Sequence, residues 1–112
     1  MTQQEILDYN KRCALLLGWE NKGMKNLEMW VSTKRPSGVN TNELLFHSDW
    51  NWIMEVVEAI ENLGFDVVIS KKSCSIWIGG TSYSNSNKSC EAKQEAAVQA
   101  IDKFLIWYNE NR

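Results

Sequence analysis

The sequence predicts an α+β fold: a small antiparallel sheet packed with three helices, in the order helix, possible strand, helix, strand, strand, helix. Two observations carry that expectation. Three segments, Thr2–Leu17, Ser48–Leu63 and one from near Ser89 almost to the C-terminus, show helical caps and apolar spacing. Two β-branched runs, Phe65–Ser70 and Cys74–Ile78, are separated by Lys71-Lys72-Ser73 alone, and strands joined by so short a turn must be antiparallel. Three helices suffice to cover so short a sheet on both faces, an α-β-α sandwich-like layering. All 112 residues are expected to form one domain, and the 44% apolar content fits an ordinary core.

The first helix opens on Thr2-x-x-Glu5, a capping box in which each side chain satisfies the other residue's free N–H. Ile6, Cys13 and Leu17 recur at helical spacing, and Gly18 can adopt the left-handed conformation that ends the helix. Trp19 to Asn26 reads as irregular. Leu27 to Thr33 alternates imperfectly and is a candidate strand, followed by a loop from Lys34 to Asn42.

The second helix begins at Ser48 or Asp49, either of which can cap it. Ile53, Val56, Val57, Ile60 and Leu63 make one apolar stripe. Gly64 is the expected terminator, with Phe65 folded back onto Ile60. In the hairpin, Cys74, Ile76 and Ile78 share one face, with Ser75 and Trp77 on the other. Gly79 to Lys88 reads as a polar loop that extends the second strand in part. The last helix buries Ala97, Ile101, Phe104, Leu105 and Tyr108.

Composition narrows the function classes. A net charge of −2 argues against a general nucleic-acid binder. Five acids and no lysine or arginine lie between Ser48 and Asp66, while the flanks carry +1 and +2. Cys13, Cys74 and Cys90 are scattered and show no metal-ligand spacing, so no metal or cofactor is expected. Met1-Thr2-Gln3-Gln4-Glu5 opens polar and acidic, unlike a signal peptide, and no apolar run reaches membrane-spanning length. A cytosolic chain with reduced thiols is the expectation.

His47-Ser48-Asp49 contains the residue types of a hydrolase triad. Sequence neighbours do not normally form the required through-space chain, and His47 is the only histidine. The expectation is a helix cap at Ser48 or Asp49, with His47 packed beside Trp52 as a staple, and no catalysis. Gly79-Gly80-Thr81-Ser82 lacks the ending of a phosphate-binding loop.

Two binding surfaces remain. The first is on the second helix: Trp50, Trp52 and Met54 beside the Glu55, Glu58 and Glu61 flank, suited to a protein partner with a basic surface. An exposed tryptophan patch also suits a homodimer. The alternative is a small-ligand site for a signalling nucleotide, built from Trp30, Lys34, Arg35 and Tyr83.

The run Leu45-Phe46-His47-Ser48-Asp49-Trp50-Asn51-Trp52-Ile53-Met54, with Val56-Val57-Glu58, resembles small bacteriophage and prophage proteins. Gly64-Phe65-Asp66-Val67, Cys74-Ser75-Ile76, Glu95 to Ile101 and Phe104 to Asn109 extend the likeness. Over roughly residues 43–110 the chain looks like the phage ABA-sandwich domain family. That resemblance implies helices on both sides of a sheet and a mobile-element setting, and it assigns no catalytic residue or cofactor. Small acidic proteins of that setting are often inhibitors of host defence. The expected function is therefore a non-enzymatic, anti-CRISPR-like inhibitor that contacts a nucleic-acid-binding effector without touching nucleic acid or membrane. A structural or regulatory phage component is a further alternative.

Overall fold

The computed structural model describes residues 2–23, 28–33, 37–69, 74–78, 81–85 and 93–111, with 81–85 described as backbone. The first helix, α1, spans Gln3–Leu16. Its capping box is complete: Thr2 N donates to Glu5 Oε1 at 3.0 Å, and Glu5 N donates to Thr2 Oγ1 at 3.2 Å. These bonds also hold the Glu5 carboxyl below its ordinary range, because they favour the ionised form. The helix ends at Gly18, whose φ of +81° is open to glycine without steric cost. Gly18 N then bonds Leu15 O and Trp19 N bonds Ala14 O, the paired bonds of a Schellman motif. The motif turns Trp19 inward, where it is buried.

Three short strands follow: β1 (Glu20–Asn21), β2 (Met29–Val31) and β3 (Val39–Asn40). They form an antiparallel sheet in the order β1-β2-β3, with Asn21 opposite Trp30 and Trp30 opposite Val39. The expected irregular segment after Trp19 and the expected loop before Asn42 thus each contain a strand. Two paired residues are too few to show alternation in sequence, so only the pairing reveals them. Asn21 Oδ1 supports the turn by accepting from Gly23 N and Met29 N. Thr41–Glu43 is a single 3-10 turn.

The second helix, α2, spans Trp50–Asn62 and is capped by Asp49, whose carboxylate accepts from Asn51 N at 2.8 Å. Trp52, Ile53, Val56, Val57 and Ile60 face the core. Leu63, expected on that stripe, is the C-cap and is exposed, at the end of the helix beyond the buried Ile60. Gly64 takes φ +100°, Gly64 N bonds Glu61 O, and Phe65 N bonds Ile60 O at 3.4 Å. Both helices therefore stop by the same glycine–aromatic device, which sends an aromatic ring toward the core.

The second sheet has the order β4 (Asp66–Ile69), β5 (Cys74–Ile78), β6 (Thr81–Asn85), antiparallel throughout. The expected polar loop after Ile78 is in part this third strand. Its serine-rich sequence carries no apolar alternation, and a one-residue irregularity against Ile76 and Trp77 breaks its register. The turn residues 71–73 and the glycines 79–80 lie outside the described residues. The third helix, α3, is described from Lys93 to Asn111, and the expected start near Ser89 lies outside the described residues.

On the inner face of this sheet Cys74 and Ile76 are fully buried, and α3, which packs on β5, buries Ala97, Ala100, Ile101, Phe104 and Leu105. On the outer face Val68 and Trp77 are exposed. Aromatic rings divide between two ends of the core. Trp19, Phe46 and Trp52 meet at centroid distances of 4.9–5.6 Å. Phe65 packs edge-on against Phe104, Trp107 and Tyr108 at 5.0–6.4 Å. Arg12 and Asp102, 2.7 Å apart, tie α1 to α3. Burial raises the Asp102 carboxyl above its ordinary value, and the guanidinium opposes that shift.

Candidate interaction surface

Along α2, the inward set 52, 53, 56, 57 and 60 leaves a contiguous outward stripe. At about 100° per residue, Trp50, Met54, Glu58 and Glu61 fall within an arc of about 80° and span about 16 Å along the axis. The exposures agree: Trp50 is 36% and Met54 47% exposed, and Glu58 and Glu61 are exposed. The stripe is aromatic and thioether at its N-terminal end and acidic at its C-terminal end.

That polarity runs against helix electrostatics. The carboxyl end of a helix carries partial negative charge and favours lysine or arginine, by about 0.3–1 kcal/mol per group. Here the last turn contains no base. Among the described residues, the ion pairs Lys11–Glu28, Arg12–Asp102 and Lys22–Glu20 leave Glu58 and Glu61 outside. Glu55, half-buried, lies on the adjoining flank. With Glu58, Ala59 and Asn62 it lines a groove of about 260 Å³ whose other walls are Leu17, Trp19, Ser32 and Thr33.

Trp52 does not belong to this surface. It is 9% exposed, with the Phe46 ring 4.9 Å away and that of Trp19 at 5.6 Å. Two residues beyond Trp50, a helix turns through about 200°, so the two tryptophans take opposite faces. The rings of Phe46 and Trp19 pack beside Trp52, and His47 meets Asn10 of α1.

His47, Ser48 and Asp49 address three separate partners. His47 Nδ1 lies 3.0 Å from Asn10 Nδ2, Ser48 O accepts from Gln94 Nε2 at 2.9 Å, and Asp49 caps α2. Burial alone pushes the His47 imidazole below its ordinary value of 6.5. Asn10, fully buried on α1, also donates to Leu44 O at 3.2 Å, and its neighbour Tyr9 donates to Phe46 O at 2.9 Å. Tyr9 and Asn10 thus strap the chain entering α2 onto α1. The sequence holds a signal for Asn10: it falls between Ile6 and Cys13 on the inward spacing, where a polar side chain requires a buried partner.

The residues of the small-ligand alternative do not gather. Trp30 is 3% exposed and its Nε1 donates to Thr41 Oγ1 at 2.9 Å, so its ring is unavailable for stacking. Lys34 and Arg35 lie outside the described residues, and Tyr83 lies in β6, where the backbone alone is described. A second concavity of about 490 Å³ between α1 and the first sheet is lined by Gln4, Leu7, Lys11, Glu28, Asn40, Thr41 and Asn42, with Lys11 paired to Glu28 at 3.0 Å. Among the described residues, no three of His, Cys, Asp and Glu come together as metal ligands. No family model matches the chain, and neither the curated proteins nor the solved structures contain a match to it.

Proposed function

We propose that this chain is a non-enzymatic binding protein of phage type, an anti-CRISPR-like inhibitor that engages a host defence nuclease in the cytosol by protein–protein contact. The observation that supports it most is the Trp50–Met54–Glu58–Glu61 stripe. A large aromatic and a flexible thioether on a rigid helix suit the centre of an interface, where such side chains contribute most of the binding energy. The acids beside them, placed where helix electrostatics disfavours them, suit a cationic partner. A nuclease presents such a surface in the channel that holds its nucleic acid. The acidic end of α2 would steer encounter with it, and Trp50 and Met54 would hold it. No helix among the described residues is long and apolar enough to cross a membrane, in keeping with a partner reached through solvent. The likeness to phage ABA-sandwich proteins points to the same setting.

The test is binding to purified CRISPR effector nucleases, by calorimetry and by inhibition of DNA cleavage. Glu58→Lys with Glu61→Lys should weaken binding at least tenfold and reduce its salt dependence. Trp50→Ala should weaken it by a similar factor with little change in salt dependence. Undiminished binding by both variants would sink the proposed surface. No binding of the unaltered chain to any effector would sink the inhibitor reading itself.

A further inference from the structure

We propose that His47 is a proton-operated latch, which holds the segment entering α2 on α1 while the imidazole is neutral and lets it go when the imidazole is protonated. The geometry fixes the hydrogens. Leu44 O can only accept, so the Asn10 amide must turn its Nδ2 toward it, at 3.2 Å. The same Nδ2 lies 3.0 Å from His47 Nδ1. His47 Nδ1 must therefore be the acceptor, and the neutral ring carries its proton on Nε2.

A protonated imidazole has N–H at both positions, so Nδ1–H would face Nδ2–H. Flipping the Asn10 amide does not rescue the contact. It would bring Oδ1 to His47 but set Oδ1 against Leu44 O, two acceptors in opposition. Asn10 is 1% exposed, so the flipped amide would leave Leu44 O without the donor it has in the closed latch. Charged His47 thus has no satisfactory arrangement in the closed latch. Burial of the ring acts in the same direction. Its hydrogen-bond partner, Asn10 from α1, is neutral, as is Gln94, which reaches the neighbouring Ser48 O from α3, and no charge contributes to the shift of the imidazole. Asp49, the nearest carboxylate along the chain, is turned to Asn51 N, and desolvation alone accounts for the shift.

The latch acts on the turn in which Ser48 N and Asp49 N bond Leu45 O at 3.1 and 2.9 Å, and Asp49 in turn caps α2. Its opening reaches the end of α2 where Trp50 stands, but the inference rests on Asn10 and His47 and holds whatever α2 binds. The sign follows from proton counts. The open segment titrates near 6.5 and the closed one lower, so the open form binds more protons between the two values. The closed form is fully favoured above 6.5, and its advantage falls, by at most about tenfold per pH unit, until the lowered value is reached.

The experiment is nitrogen NMR of the imidazole together with amide hydrogen exchange at Ser48 and Asp49, corrected for intrinsic rates, from about pH 7.5 to about pH 4.5. The full chain and its His47→Gln variant are compared. Expected are an unprotonated Nδ1 at the upper pH, an imidazole pKa below 6.5, and Ser48 and Asp49 protection level above pH 6.5, then falling below it by at most about tenfold per unit in the full chain, and staying level throughout in His47→Gln. A proton on Nδ1 at neutral pH, an imidazole pKa at or above 6.5, or the same loss of protection in the variant would each overturn the latch. The imidazole measurement needs no variant and decides the matter even where His47→Gln fails to fold.

Discussion

Tyr9→Phe removes one oxygen from the strap that holds the chain against α1. Tyr9 is fully buried, and its hydroxyl donates to Phe46 O at 2.9 Å across 37 residues of sequence. Phenylalanine keeps the ring and its packing, so no cavity of consequence opens. What is lost is the hydrogen bond to Phe46 O, worth about 0.5–1.5 kcal/mol net, with the weaker one between the hydroxyl and the Cys13 thiol, and what is left is a buried carbonyl without its donor, costing about 1–3 kcal/mol. The two figures overlap, because the second contains part of the first. A destabilisation of about 2 kcal/mol is expected. For a chain of this length, that lowers Tm by about 8 °C, since unfolding entropy near the midpoint is about 2.1 cal/mol/K per residue. Chemical denaturation with an unchanged m-value is the proper assay, since it separates stability from a change in the denatured state. A loss under about 0.5 kcal/mol would refute the reasoning, because it would mean that water replaces the hydroxyl at Phe46 O at almost no cost.

Three further outcomes are expected. Trp52→Ala should cost about 3–5 kcal/mol by urea denaturation, whereas Trp50→Ala should stay within about 0.5 kcal/mol of the unaltered chain, since one ring is in the core and the other is on the surface. Gly64→Ala should cost about 1–2 kcal/mol although no atom lies within 4 Å of the added methyl, because the φ of +100° is itself strained for alanine; thermal melting reads this directly. Burial raises the Cys74 thiol to about 11, leaving a thiolate fraction of about 0.1% at pH 8, and raises Cys13 further still. Peptide mass spectrometry after brief iodoacetamide treatment should find both unmodified in the folded chain and both alkylated in urea.

Much of the fold was legible because its signals are local. The Thr2–Glu5 capping box, the glycines at 18 and 64 and the inward spacing of α2 each involve residues a turn or less apart, so the sequence displays them directly. The faces of β5 were legible for the same reason. What was not legible depended on partners distant in sequence. β1 and β3 exist because β2 pairs with both, and β6 exists because β5 offers it an edge. The candidate surface divides the same way. The acidic flank was readable from composition alone. Whether a given tryptophan belonged to it was not, since Trp50 and Trp52 are chemically identical and differ only in what lies opposite them.

Local chemistry along the chain sets where α1 and α2 begin and end, which hairpin closes the second sheet, and that charge is unbalanced between Ser48 and Asp66. These follow from short-range sterics, capping hydrogen bonds and the periodicity of side-chain directions. Packing between distant segments is what encloses Trp52 with Phe46 and Trp19, engages Trp30 in a bond to Thr41, and brings His47, in the turn before α2, to Asn10 on α1. Burial is a property of the space between elements, so a side chain's role there is settled by what packs across from it, and no local pattern records that.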